Sequence, residues 1–74
     1  MKYLVHSHGY TGGPEFSTLK EAKAHFRQLV KEEKRRCKAR FGQAFVHRDG
    51  WTAVITLAKD RDSSLYSAHS IQKL

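Results

Sequence analysis

An apolar repeat with helical spacing runs from residue 17 to residue 42. At about 100° of rotation per residue, its apolar side chains fall within an arc of roughly 100°, which predicts an amphipathic helix with one buried face. That face carries Leu19, Ala22, Phe26, Leu29, Val30 and Cys37. Thr18 and Glu21 form a capping box that predicts the start of the helix, with Ser17 as an alternative cap. Gly42 suits the left-handed residue that commonly follows a helix end.

Shorter apolar segments on both sides of the helix predict β-strands. Residues 2–8 alternate loosely and predict a first strand, and residues 65–71 predict the last one. The Gly-rich link before the helix leaves room for a short strand at residues 15–16. Two alternating sets compete for the buried side of the last strand, Leu65, His69 and Ile71 against Tyr66 and Ala68.

A β-hairpin is predicted after the helix, with Asp49-Gly50 as its turn between strands at residues 45–48 and 51–58. This turn places Arg48 opposite Trp51. Paired residues share a face, and the face expected to contact the helix carries Ala44, Val46, Trp51, Ala53, Ile55 and Leu57. The other face carries Phe45, His47, Thr52, Val54 and Thr56. Residues 59–64 then form a charged loop.

The order β-α-β-β-β predicts a two-layer α+β domain, in which one long helix packs on a curved antiparallel sheet of three to five strands. A chain of 74 residues has the size of one domain, so we expect a single basic domain over residues 1–74. The hydrophobic fraction of 39% is high enough for a folded globule rather than a disordered basic tail.

Sequence features that would direct the chain to a membrane are missing. No apolar run approaches the roughly 18 residues that cross a bilayer, and the amino terminus carries no hydrophobic signal region. Cys37 is the only cysteine, which excludes an intrachain disulfide and indicates a reducing compartment. We therefore expect a cytoplasmic monomer without a membrane partner.

Most of the positive charge lies on the predicted helix, where nine basic and three acidic residues give 9 − 3 = +6 of the chain's net +7. Six of the cations fall within an arc of roughly 80° beside the apolar face. This cationic row consists of Lys20, Lys23, Arg27, Lys31, Lys34 and Lys38. Neighbouring cations repel one another by a few tenths of a kcal/mol per pair, so stability alone would not select the row. We interpret it as a binding surface, with an ordinary solvated helix face as the alternative.

Five histidines are the side chains most able to carry chemistry, but they are scattered along the chain. His6 and His8 share one side of the first strand, and a further ligand from His47 or His69 would give a zinc site. The same imidazoles, acting as acid and base beside cations, would suit a small ribonuclease toxin. No motif supports either use. We expect surface or half-buried histidines, no catalytic residue, no metal and no cofactor.

Two further residues could serve either a function or only the packing of the fold. Cys37 has cationic neighbours that would activate an exposed thiol, but its place on the apolar arc predicts a small buried side chain. Phe45 on the outer face of the hairpin would suit stacking on a base of single-stranded RNA. The paired aromatic motifs of RNA-binding sheets are absent, however, so we expect Phe45 to be covered.

The chain runs from a first strand and a Gly-rich link into a helix that opens with Phe16-Ser17-Thr18-Leu19-Lys20-Glu21-Ala22, and ends with a hairpin and a final strand. This order resembles that of small phage-encoded proteins that disable or redirect host machinery, including RNA polymerase inhibitors and anti-CRISPR proteins. The resemblance implies a non-enzymatic protein that occludes a host surface, in the host cytoplasm if it is phage-encoded.

We therefore expect a non-enzymatic regulator whose cationic row, together with Arg35, docks on an acidic surface of nucleic-acid machinery, with host RNA polymerase as the best example. Direct DNA or RNA binding and anti-CRISPR activity are the alternatives. Almost no Asn, Gln or Thr lies among the cations to read bases, which favours an acidic protein as the partner. Trp51, Tyr66 or Phe41 would then supply apolar anchors.

Overall fold

A computed structural model describes residues 2–9, 12–59 and 64–74. In these residues a single helix and five strands follow one another as β1 (Tyr3–Ser7), β2 (Glu15–Phe16), α1 (Leu19–Phe41), β3 (Phe45–Asp49), β4 (Thr52–Thr56) and β5 (Leu65–Lys73). The strands form an antiparallel sheet in the order β2-β1-β5-β4-β3, and α1 packs on one face of it. The predicted two-layer α+β fold is confirmed, with the short β2 included.

Local capping defines both ends of α1, as the sequence predicted. The Thr18 hydroxyl accepts a hydrogen bond from the Glu21 backbone N–H at 3.2 Å and donates one to the Glu21 carboxylate at 2.9 Å. At the other end Gly42 has φ +82°, and its N–H donates to the Lys38 carbonyl at 2.8 Å. A residue with a Cβ is strained at this φ, which explains why glycine ends the helix.

The core lies between α1 and the centre of the sheet. Its buried side chains come from the helix and from three strands: Val5, Ala22, Phe26, Val30, Ala53 and Ile71. Leu19 and Leu29 pack against this cluster and are half-buried. Cys37 is fully buried, and its thiol donates to the Gln43 carbonyl at 3.4 Å. The apolar arc predicted for the helix is therefore the face that the sheet covers.

The predicted register of the hairpin is wrong by two residues. Arg48 pairs with Ala53, whereas the sequence placed it opposite Trp51, and the turn residues are Gly50-Trp51 rather than Asp49-Gly50. Gly50 has φ +60°, and glycine at the first turn position is typical of a type II′ hairpin. A shift of two residues leaves every side chain on its predicted face. It moves Trp51 out of a strand and to the tip of the hairpin.

β1 and β5, which pair with each other inside the sheet, also differ in length from the prediction. β1 is one residue shorter at each end than the predicted residues 2–8. β5 continues two residues beyond residue 71, where its predicted strand ended. The parity of β5 is settled in favour of His69 and Ile71, which are buried on the helix side, whereas Leu65 of the same predicted set is 56% exposed. Most of the charged loop predicted for residues 59–64, namely 60–63, lies outside the described residues, as do residues 10 and 11 of the Gly-rich link.

Candidate anion-binding surface

All six side chains of the cationic row are exposed, and so is Arg35 beside it. α1 is continuous from Leu19 to Phe41, so the helical spacing holds along the whole row. At 1.5 Å per residue, about 27 Å separate Lys20 from Lys38. The six residues of the row therefore lie along one line of the helix surface, and Arg35 lies beside it.

The acidic side chains of α1 are engaged away from the row. Glu21 accepts the Thr18 hydroxyl in the capping box. Glu32 accepts a hydrogen bond from the Gln28 side-chain amide at 3.3 Å. Glu33 forms an ion pair with Arg36 at 3.5 Å.

The Arg36–Glu33 contact is the only ion pair found across residues 2–9, 12–59 and 64–74. No carboxylate in that part of the chain therefore neutralises a cation of the row. Surface ion pairs contribute little to stability, but their absence along the row leaves its positive potential available to an external anion.

A groove separates α1 from the turn between β3 and β4, with a volume of about 620 Å³. We call it the tryptophan groove; it is lined by Lys23, Arg27, Arg48 and Trp51, with Phe26 and Ile71 as apolar neighbours. Two of these cations belong to the row, while Arg48 comes from β3. The Arg48 guanidinium carbon lies 6.0 Å from the centroid of the Phe26 ring. The groove therefore widens the cationic surface from one helix to two elements.

Packing contacts fix Trp51 at the edge of this groove. Its ring meets Tyr3 in an edge-to-face arrangement, with centroids 6.1 Å apart and an interplanar angle of 79°. Its carbonyl accepts a hydrogen bond from the Ile71 N–H at 2.9 Å. The side chain still keeps 37% of its surface exposed. Trp51 is thus a partly open aromatic surface beside three cations.

Arg48 was not predicted as a site residue from the sequence, although strand alternation gave a signal for it. Arg48 lies two residues after Val46, so strand alternation puts both side chains on the face that α1 covers. A cation on that face near the end of a hairpin has to lie beside the helix or reach past it. This parity would have placed Arg48 on the helix side of the sheet, without indicating that it lies beside the row.

The opposite flank of α1 borders an open depression of about 610 Å³, which we call the histidine depression. His69 from β5 is only 3% exposed within it. Ser7 Oγ lies 2.7 Å from His69 Nδ1, and Ser67 Oγ lies 3.0 Å from His69 Nε2. Burial lowers the pKa of His69, and the Glu33 carboxylate opposes this shift. Burial therefore favours the neutral imidazole, and a serine hydroxyl contacts each of its two nitrogens.

His6, His8 and His69, together with His25, are among the residues that line the histidine depression, whereas His47 is not. His6 bonds Ser70 at 3.1 Å and His47 bonds Thr56 at 3.0 Å, both on the sheet face away from α1. His69 lies on the helix side. In the described part of the chain, no group of three or more His, Cys, Asp or Glu side chains has an arrangement that would hold a metal ion.

Two other candidate positions are embedded in the fold. Burial and, to a smaller extent, the Glu33 carboxylate raise the pKa of Cys37, which keeps its thiol protonated and disfavours a nucleophilic role. Phe45 is half-buried on the outer face of the sheet, where it pairs with Thr56.

No helix within the described residues has the length and apolar character required to span a membrane. Comparisons of the chain with protein-family models, with curated proteins and with solved structures found no match. The features of the described residues that bear on function are the cationic row and the two concave regions beside α1.

Proposed function

We propose that this protein is a non-enzymatic binding protein that covers an acidic surface of nucleic-acid machinery with its cationic row. The observation that carries the proposal is the exposure of all six cations of the row without an ion-pair partner in the described residues. A surface with this concentration of one charge attracts polyanions and accelerates their association.

The sugar-phosphate backbone is the acidic surface that fits the row best. Six cations over about 27 Å give roughly one positive charge per 5 Å of helix. A nucleic-acid strand carries about one phosphate per 3.4 Å of duplex axis, so charge can be matched along the whole row. The lack of Asn and Gln among the cations, from which the sequence favoured a protein partner, argues only against base readout and is compatible with phosphate contacts. We therefore expect binding with little sequence preference.

An acidic protein surface, such as one on host RNA polymerase, is the second candidate. The observation that favours it is the presence of exposed aromatic side chains on the same molecule. Phe41 at the end of α1 is 47% exposed and Trp51 is 37% exposed. Exposed aromatics beside cations are typical of protein-binding hot spots, and such a partner would be blocked by occlusion.

A pull-down from bacterial lysate, with and without nuclease, tests the proposal and separates the two partners. If nucleic acid is the target, the immobilised protein retains DNA or RNA, and nuclease releases both the nucleic acid and the proteins attached to it. Retention of RNA polymerase subunits after nuclease treatment supports the second candidate. The double substitution Arg27→Glu/Lys31→Glu should lose either partner. If wild type and variant retain the same material, the row is not the binding surface.

A further inference from the structure

We propose that the tryptophan groove binds one nucleotide of a single-stranded nucleic acid, with its base stacked on Trp51 and its flanking phosphates held by Lys23, Arg27 and Arg48. This inference rests on the proposed function and specifies the form of nucleic acid that the protein prefers. It follows from the combination, in one groove, of an open aromatic ring, three cations and an apolar wall.

The chemistry of the groove has two parts that match the two parts of a nucleotide. Trp51 offers a flat apolar surface, and its edge-to-face contact with Tyr3 limits the orientations of the indole before a ligand arrives. Lys23, Arg27 and Arg48 supply positive charge around it. Guanidinium groups bind phosphate oxygens through paired N–H donors, which gives the two arginines a geometric as well as an electrostatic role.

An acidic protein would contact the cations of the groove but not the face of the Trp51 ring. Aspartate and glutamate side chains can pair with the cations, but they have no planar group to cover the indole. A nucleobase provides that group, and stacking of a base on an aromatic side chain does not depend on base identity. The volume of about 620 Å³ also lies within the range of sites that hold a small ligand.

Single-stranded rather than duplex nucleic acid is the form that can reach Trp51 with a base. In a duplex both faces of each base are covered by neighbouring base pairs, whereas an unpaired base can be splayed onto an aromatic ring. Lys23 and Arg27 belong to both the groove and the cationic row. A strand with one base in the groove can therefore continue along the row with its next phosphates on Lys31 and Lys34.

Intrinsic fluorescence tests this inference directly, because Trp51 is the only tryptophan of the chain. The probe is a thymidylate oligonucleotide of about 12 nucleotides, within the site sizes of small single-strand-binding domains. We expect this strand to quench Trp51 at saturation. An abasic oligomer of equal length, a blunt duplex and poly-glutamate should bind the row without comparable quenching. Equal quenching by any of these three would overturn the inference.

Substitutions with an affinity readout complete the test. Trp51→Ala should weaken binding of a labelled thymidylate strand about 10- to 100-fold, as expected for loss of one stacked base, and Trp51→Phe should restore most of it. Binding of the labelled duplex should change less than about 2-fold, since its phosphates contact only cations. An unchanged affinity of Trp51→Ala for the single strand would overturn the inference.

Arg48 provides a second variant that keeps the fluorescent reporter. Arg48→Ala should weaken single-strand binding more than duplex binding, whereas Lys38→Ala at the far end of the row should weaken both by a similar factor. An equal effect of the two variants on both probes would contradict a special role for the groove. If binding to every nucleic acid persists while these groove effects are missing, the inference fails but the proposed function stands. If wild type binds no nucleic acid, nucleic-acid binding fails as well.

Discussion

The two flanks of α1 show how differently this small protein treats its polar side chains. On one flank, the cationic row and Arg48 are exposed, and no carboxylate of the described residues pairs with them. On the other, His69 is buried with both ring nitrogens hydrogen-bonded, and Glu33 is paired with Arg36. The polar side chains of this histidine flank are hydrogen-bonded or ion-paired within the protein, whereas the cations of the other, cationic flank remain available to an external anion.

Interactions on the two flanks have opposite effects on the stability of the fold. Repulsion between neighbouring cations costs a few tenths of a kcal/mol per pair and is not offset along the row. The hydrogen bonds of His69 to Ser7 and Ser67 each contribute about 0.5–1.5 kcal/mol, and breaking them inside the fold costs more. Changes on the cationic flank should therefore alter binding, and changes on the histidine flank should alter stability.

The largest effect is expected from reversing two charges at the centre of the row. Arg27→Glu/Lys31→Glu should abolish binding to the anionic partner, because it replaces two attractive contacts by repulsive ones. The free energy of unfolding should stay within about 1 kcal/mol of wild type, since both side chains are exposed. Fluorescence anisotropy with labelled oligonucleotides measures the first quantity and chemical denaturation the second. Loss of folding in this variant would show that the row is structural.

A matched control separates the position of the charges from their number. Lys2→Glu/Lys59→Glu also reverses two exposed cations, so both double variants change the net charge from +7 to 7 − 4 = +3. Lys2 and Lys59 lie outside α1. We expect the control to lose far less affinity than the row variant. Equal losses would mean that overall charge, and not the row, drives association.

The histidine flank should respond in the opposite way. His69→Ala removes a buried ring and leaves the Ser7 and Ser67 hydroxyls without their partner, so we expect a loss of about 2–3 kcal/mol in the free energy of unfolding. The affinity for anionic partners should stay close to wild type under conditions where the variant is folded. Urea denaturation and anisotropy give the two values. A stable variant that no longer binds would reverse the assignment of the flanks.

A smaller effect is expected from acidification. Burial lowers the pKa of His69 below its ordinary 6.5, so the unfolded chain takes up this proton first as the pH falls. The contribution of His69 to the free energy of unfolding should therefore be constant above about pH 6.5. Below that pH it should decrease until the lowered pKa of the folded state is reached. Thermal melts between about pH 7.5 and pH 5.5 measure the change. His69→Gln should flatten the dependence, and an unaltered pH profile in that variant would refute the role of His69.

The parts of the fold that depend on residues close together in the sequence could be predicted. The capping box at Thr18, the glycine at position 42 and the straight row of cations all follow from spacings of three or four residues, which helical geometry fixes. For the same reason the exposed and buried faces of α1 were predicted correctly. The hairpin faces were also correct, because a register error of two residues preserves side-chain parity.

Features that depend on contacts between residues far apart in the sequence could not be predicted. Ser7 and His69 are 62 positions apart, and they meet only because β1 pairs with β5 in the middle of the sheet. Local periodicity contains no information about which strands become neighbours. The tryptophan groove has the same origin, since the helix packing and the turn at Gly50 together bring Arg48 and Trp51 to the row.

The salt dependence of binding to a short DNA duplex tests the central claim most directly. If the six exposed cations contact phosphates together, the slope of the logarithm of the binding constant against the logarithm of salt concentration should be near −5, from about 0.9 ions released per phosphate. Lys34→Ala/Lys38→Ala should reduce the magnitude of this slope by about 2. A slope close to −1, or the same slope in wild type and variant, would contradict the account.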